Sequence, residues 1–312
     1  LAQVVERAKA HLTAAFRGEL TTLASTMTNV QTTAVVTVRS STLAANALLS
    51  IGTELMYVTA VASDGVSCTV IRGHMGSTAT THTAGDAVEV NARFPGALIF
   101  LALLDEIDGL PDSIYSVVAE TYSGVQFQET ITLNASPINY ANVYGVIDVR
   151  VSPQARYGFN FPLIAYTSWP RLEYARLVRS ADPGDFTGGF YLNLGGRIEY
   201  GGDVRIVVAL KPQVTDVNGA LILSAVSDTV ATLGLPSSMT DVLALGTALR
   251  LYQPRDIDRT TRQAQGESRF AQEVPVGGIT QTAMGLSRIY DKRLNQEIDR
   301  LRARYPIRMA VQ

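Results

Sequence analysis

Apolar residues at Val4, Val5, Ala8, Leu12, Ala15, Phe16, Leu20 and Leu23 recur at three- and four-residue spacing. That spacing puts them on one stripe and predicts an amphipathic helix of about 20 residues at the start of the chain. From Asn29 the texture changes to short β-branched runs at 33–38, 54–62, 66–71 and 87–90, with Ser63-Asp64-Gly65 as a hairpin signal. These runs predict a small β module over residues 29–92. Phe94-Pro95 then opens a strongly apolar helix over 97–110, with Asp105, Glu106 and Asp108 expected to close its exposed side. A second short helix is expected after Pro111-Asp112.

Strand texture returns at 127–133, 143–151, 161–167, 171–178, 189–194 and 204–210, with turns rich in Gly, Pro and Asp between the runs. Short strands at this spacing predict a sandwich of the jelly-roll kind. Helical spacing resumes at 218–233 and at 240–252, where Thr240 is placed to cap and Asp241 to sit in the first turn. Residues 253–282 are polar with few apolar anchors, a length that predicts an extended arm rather than a loop inside a domain. The last stripe, Leu286, Tyr290, Leu294, Ile298, Leu301 and Tyr305, predicts a terminal helix ending at Pro306. Its other faces carry Arg288, Lys292, Arg293, Arg300, Arg302 and Arg304.

The expected fold class is therefore α+β: a helical bundle interrupted by a small β module and a β-sandwich (jelly-roll-like) domain, with an extended C-terminal arm and terminal helix. The expected boundaries are 1–28 for the N-terminal helix, 29–92 for the β module and 93–124 for bundle helices. The sandwich follows at 125–215, further bundle helices at 216–252, the arm at 253–282 and the docking helix and tail at 283–312.

Composition narrows the classes. The 312 residues suffice for about two domains with buried cores. Apolar residues make up 46% and charged residues 17%, which excludes a disordered chain. The longest apolar run, 97–104, is far shorter than the roughly 20 residues of a membrane span. Cys68, the one cysteine, cannot form an internal disulfide, and no leader pattern precedes Val4, so assembly in a cytoplasm is expected. The net charge of -2 hides an asymmetry: residues 1–249 carry 14 basic and 21 acidic side chains, whereas 250–312 carry 12 and 7.

The candidate chemistry is sparse. His11 lies beside the first apolar stripe. His74 and His82 flank a Ser/Thr-rich turn with Ser77 and Asp86 nearby, a nucleophile, base and carboxylate in principle. Crowded into one hairpin they cannot take the three approach directions a triad needs, and no G-x-S-x-G motif is present. Turn-stabilising hydrogen bonds are expected instead. His74, His82 and Asp86 lack the fourth partner of a tight zinc site, Asp182-Pro183-Gly184-Asp185 reads as a turn, and no phosphate-binding glycine motif occurs. No catalytic residue, cofactor or metal is therefore expected. The cations of the last helix alternate with Asp291, Glu297 and Asp299, which suits a protein contact better than phosphate tracking. Trp169 is expected in a sandwich core, with a carbohydrate platform as the alternative.

Val70-Ile71-Arg72-Gly73-His74-Met75-Gly76-Ser77-Thr78-Ala79, followed by His82, Gly85-Asp86-Ala87-Val88 and Arg93-Phe94, resembles a pattern of structural proteins in tailed-bacteriophage particles. The pattern reads V-x-R-G, G-[ST]-x-A, H, G-D-x-V, here with Ser77 where Thr is more usual. The resemblance implies a compact β module in which Gly73, Gly76 and Gly85 permit tight turns and Arg72, His82 and Asp86 stabilise the loop. The wider layout is similar to head-to-tail adaptor (connector) proteins beneath the portal. That likeness implies a non-enzymatic subunit of a homo-oligomeric ring at the neck of the virion, contacting the portal protein and tail or neck proteins. DNA would pass through its lumen without sequence recognition, and no membrane would be involved.

On this reading the interface is expected on the last helix: Leu286, Arg288, Tyr290, Lys292, Arg293, Leu294, Ile298, Arg300, Leu301, Arg304 and Tyr305. Truncation at about Val274 is then expected to leave a folded body that no longer docks. The alternatives are a tail, baseplate or fibre-associated protein whose sandwich binds carbohydrate through Trp169, and an enzyme using His74 or His82.

Overall fold

A computed structural model describes residues 1–13, 19–37, 41–125, 128–133, 143–152, 169–178, 191–197, 202–212, 214, 228–264 and 278–310. The fold is mixed α+β, and the chain divides into two compact units. The first comprises Leu1–Gly109, Leu223–Thr229 and Ser238–Arg293; the second comprises Leu110–Ile222, Val230–Ser237 and Leu294–Gln312.

The first unit begins with helix α1 (Ala2–Thr13), which buries Val4, Val5, Ala8 and Leu12. The helix is shorter than its stripe predicts. Residues 19–22 form strand β1 (Glu19–Thr22) instead, and Leu20 is exposed while Leu23 enters the β core. Ala15 and Phe16 lie outside the described residues. The reason is tertiary: β1 gains a full ladder against β6, Glu19 opposite Val90 through Thr22 opposite Ala87, which outweighs local helical spacing.

Strands β2 (Thr33–Val35), β3 (Leu48–Ile51), β4 (Glu54–Val61), β5 (Ser67–Ile71) and β6 (Ala87–Val90) complete an antiparallel sheet in the order β1-β6-β3-β4-β5-β2. The sheet curls until its two edges meet, through the bridge Leu23↔Val36 and the bonds from Thr37 N to Thr22 O and from Ala24 N to Val35 O. The module thus starts ten residues earlier than residue 29. Alternate residues fill its interior: Leu49 faces Met56 and Val90, Ile51 faces Val88, Val58 faces Val70, and Ala34 faces Cys68. The Ser63-Asp64-Gly65 turn forms as expected, with Asp64 Oδ1 accepting the amides of Val66 and Ser67 at 2.9 Å.

Helix α2 (Gly96–Asp108) follows Pro95. Its first residue is seated against the β3–β4 turn, where a Cβ on Gly96 would overlap Gly52 O, and its amide donates to Ser50 Oγ at 3.2 Å. Helices α1, α2 and α3 (Met239–Ala264) pack on one another, and α2 also touches β3 and β4. Asp241 lies in the first turn of α3, paired with Arg7. Helix α3 continues twelve residues into the expected arm. Residues 265–277 lie outside the described residues. Helix α4 (Gly278–Arg304) then ends just before Pro306.

The second unit holds two sheets. Residues 111–115, where a short helix was expected, form a single turn, with Ile114 N bonded to Pro111 O at 2.8 Å. They lead into β7 (Ser116–Val125), whose β-branched and aromatic residues pair along the whole of β12. Strands β9 (Val143–Val151), β12 (Gly202–Leu210) and β13 (Met309–Ala310) join β7 in the order β13-β9-β12-β7. Strands β8 (Thr130–Thr132), β10 (Arg176–Val178) and β11 (Tyr191–Asn193) form a separate sheet in the order β10-β11-β8. Residues of both sheets belong to one buried cluster, among them Ile131, Leu177 and Leu192 with Val146, Val149, Ile206 and Val208. The expected strand at 161–167 and the expected helical residues 218–227 lie outside the described residues. Residues 230–233 are turns rather than helix, closed by Gly234 at φ +70.

Candidate functional site

The loop between β5 and β6 is built around a buried carboxylate. Glu54 opens β4 at one end of the curled sheet and is 1% exposed. Arg72, at the end of β5, grips it with a fork: Nε to Oε1 at 2.6 Å and Nη2 to Oε2 at 2.8 Å. His82 Nε2 lies 2.8 Å from Oε2, and the amides of Thr80 and Gly73 donate to Oε2 and Oε1 at 2.9 and 3.3 Å. The remaining guanidinium hydrogens go to main-chain oxygens: Nη1 to Thr28 O and Gln31 O at 2.5 and 2.9 Å, and Nη2 to Thr80 O at 2.5 Å. One ion pair therefore joins β4, β5, the 28–31 turn and the loop.

Burial by itself raises the Glu54 carboxyl, but the Arg72 fork, His82 and the Thr80 amide outweigh it and hold the group down at about 2. The charge is satisfied rather than poised to react. The expected loop glycines all have positive φ, +62 at Gly73, +79 at Gly76 and +94 at Gly85. Gly73 is additionally constrained because a Cβ there would lie 2.9 Å from Ser77 O. Asp86 closes the far turn, accepting from Thr83 N and Thr83 Oγ1 at 2.8 Å. His82 and Met27 exchange main-chain bonds, which fixes the histidine in the ladder.

The Ser77, His82 and Asp86 set does not converge. Ser77 Oγ accepts from Leu55 N at 3.0 Å and faces the carbonyls of Leu55 and His74 at 3.2 and 3.0 Å, so its hydroxyl is engaged by the main chain. His82 Nδ1 is 3.9 Å from Asp86. His74 stacks on Tyr57, ring centroids 5.3 Å apart. Among the described residues no group of three His, Cys, Asp or Glu side chains is placed to hold a metal ion. No helix among them is long and apolar enough to cross a membrane. Trp169 is 8% exposed, so its ring offers little face to a sugar.

The expected docking stripe on α4 is partly used by the chain itself. Tyr290 OH donates to Glu106 Oε1 at 2.6 Å, and Arg250 Nε donates to Glu106 Oε2 at 2.5 Å. Glu106 does not close the exposed side of α2: it is buried, because Gly246 of α3 lacks the Cβ that would occupy its place. Burial, then the bond to Glu106, pushes the Tyr290 phenol well above its ordinary range. Leu301 is buried, and the Tyr305 carbonyl accepts from Tyr115 OH at 2.8 Å. Leu286, Leu294 and Ile298 are half-buried, whereas Arg288, Lys292, Arg293, Arg300 and Arg304 are exposed. The surface left to a partner is therefore the basic side of α4 rather than its apolar stripe.

Glu54 is not singled out by sequence pattern: it is a lone acid bordering an apolar run, and the available signal is that a charge interrupting a buried stretch needs a counterion elsewhere. Glu106 stands between Asp105 and Asp108, and the pattern groups it with those exposed acids. No protein-family model matches this chain, and no curated protein matches it.

Proposed function

We propose that this chain is a structural subunit of a tailed-bacteriophage particle, a head-to-tail adaptor that forms a ring between the portal and the tail. The observation that carries the reading is the use made of the pattern residues. Arg72, Gly73 and His82 hold one loop to Glu54 of the curled sheet, and Asp86 closes that loop's far turn. That is the role implied by the resemblance to virion proteins.

Two further features support it. The exposed cations of α4 form a basic surface suited to acidic rims of the portal, a tail or neck protein, or another copy. The common buried cluster of the two sheets in the second unit supports a sandwich, the finer architecture expected of such a subunit. In this role the chain sits at the virion neck after assembly in the host cytoplasm. It binds no cofactor, and DNA passes through the ring without being read.

The test is the copy number of the chain in purified particles, by quantitative mass spectrometry against the major capsid protein. A copy number on the order of a dozen supports one cyclic ring. A far larger number assigns the chain to the tail tube or capsid surface, and its absence from particles removes the reading.

A further inference from the structure

Three exposed apolar side chains of the first unit gather around the loop that Arg72 holds. Val30 is 79% exposed, Ile71 53% and Met75 56%. Arg72 bonds the carbonyls of Thr28 and Gln31, which brackets Val30 beside the end of β5. Ile71 is paired with Tyr57 and points away from the interior that Val70 enters. His74 stacks on Tyr57 and leads directly to Met75. Met75 has φ +53 and ψ +36, a left-handed conformation that suits asparagine or glycine better than methionine. The strained backbone thus displays an apolar side chain at the tip of a well-anchored loop. No Asp, Glu, Lys or Arg occurs in 20–38 or 73–85, so this knob stands in a surface without formal charge, as the centre of a protein interface does.

The opposite wall of the curled sheet carries a hollow. In the order β1-β6-β3-β4-β5-β2, closed between β1 and β2, β6 lies three strands from β5 whichever way round. Between the outer face of β6 and α1 is a cleft of about 200 Å³, walled by Ala10, Leu20, Gly52 and Ala87, with Leu20 52% exposed. Lys9 and Glu89 also line it, and their charges answer each other. An apolar cavity of about 150 Å³ takes up benzene, so the cleft has room for a methionine side chain. Knob and cleft lie toward the same end of the sheet, because Gly52 sits in the β3–β4 turn and Ile71 pairs with Tyr57, three residues after Glu54 opens β4.

We infer that copies of this chain meet through these two features, with Met75 of the Val30–Ile71–Met75 knob seated in the α1–β6 cleft of a second copy. Knob and cleft stand on opposite walls, so a copy cannot fill its own cleft and always has both to offer. The contact is heterologous, and its repetition generates a ring or a filament rather than a closed dimer. It rests on the adaptor reading only for closure of the ring.

The experiment follows the full chain by sedimentation velocity over a range of concentration and salt. Self-association that persists as salt rises is expected, because no charge pair joins the copies. Met75→Asp removes the knob with a residue that tolerates the left-handed backbone, and Leu20→Asp spoils the cleft. Each should weaken association by about tenfold or more. Mixed together, the two variants should form a one-to-one dimer and nothing larger, since one keeps its cleft and the other its knob. Val30→Asp and Ala10→Phe repeat the two halves of the test at other positions, and variants are compared only where circular dichroism matches the unaltered chain. A chain that is monomeric at every concentration overturns the inference. So does association that dissolves in salt or survives these substitutions, or a mixture that yields no dimer. Copy number in particles is measured independently, so failure of the ring reading and failure of this contact are distinguishable.

Discussion

Arg72 and Glu54 meet through two parallel hydrogen bonds at 2.6 and 2.8 Å, with both side chains almost removed from solvent. The pair is not isolated: every other polar atom of the fork finds a main-chain partner. A buried pair completed in this way contributes mainly by what its loss would leave behind. Arg72→Ala strands the Glu54 charge inside the sheet and should cost about 3 to 5 kcal/mol, read from urea unfolding midpoints. Arg72→Lys keeps the charge but not the fork, and should recover only part of that loss.

Acid should weaken the same module within a defined window. The Glu54 carboxyl is held at about 2 in the folded chain against 4.5 ordinarily, so the unfolded chain binds the proton first as pH falls. The stabilisation is complete above roughly pH 4.5 and is lost as pH falls toward 2, about 3 kcal/mol in all. Unfolding midpoints measured from pH 6 down to pH 2 check this, and a flat profile through that window would contradict it.

Cys68 offers a local readout. Burial raises the thiol to about 11, and the group lies inside the curled sheet with its S–H donated to Ala34 O. As the only cysteine of the chain it should stay unmodified by 4,4′-dithiodipyridine in the native protein. Labelling in the Arg72→Ala variant should be faster by at least tenfold, since opening of the sheet becomes the gate.

The Glu106 cluster should behave as one unit. Tyr290→Phe removes a hydrogen bond to a buried carboxylate and should cost about 1 to 3 kcal/mol. Gly246→Ala should cost a similar amount, because its new methyl group competes with the Glu106 side chain for the same space. Combining them should cost less than the sum, a coupling that a double-mutant cycle measures.

Truncation at about Val274 has a different expected outcome from the one the polar arm alone implies. It removes Tyr290 from Glu106, the Tyr305 carbonyl from Tyr115 and strand β13 from β9. The remaining chain should therefore unfold at lower urea concentration, with about 2 kcal/mol or more lost. A truncated chain as stable as the whole would show that α4 is an independent appendage.

Local pattern carried the strands whose ladders agree with it. Residues 87–90 and 143–151 are rich in β-branched side chains between turn residues, and both appear with those bounds. Leu48–Ile51 was invisible because Leu-Leu-Ser-Ile has little strand texture of its own; pairing with β4 and β6 makes it a strand. Leu20 and Leu23 fitted a helical stripe by spacing alone, and only the partner strand β6, nearly seventy residues away, decides otherwise. The same division holds at the loop. Arg72, Gly73 and His82 stand out in the pattern, but the residue they converge on does not, since which acid answers a buried cation is decided by the topology.

The order β13-β9-β12-β7 has a consequence for synthesis. Strand β7 leaves the ribosome unpaired on both sides, because β12 lies roughly 75 residues further along the chain. At ~5–20 residues per second that interval lasts about 4 to 15 s, far longer than a hairpin needs to form. The curled sheet of the first unit, whose strands are all complete by Val90, can close in the meantime. Nascent chains of this protein therefore pass through a stage with one finished core and one naked strand, and it is the Ser116–Val125 segment that chaperones or neighbouring nascent chains would meet.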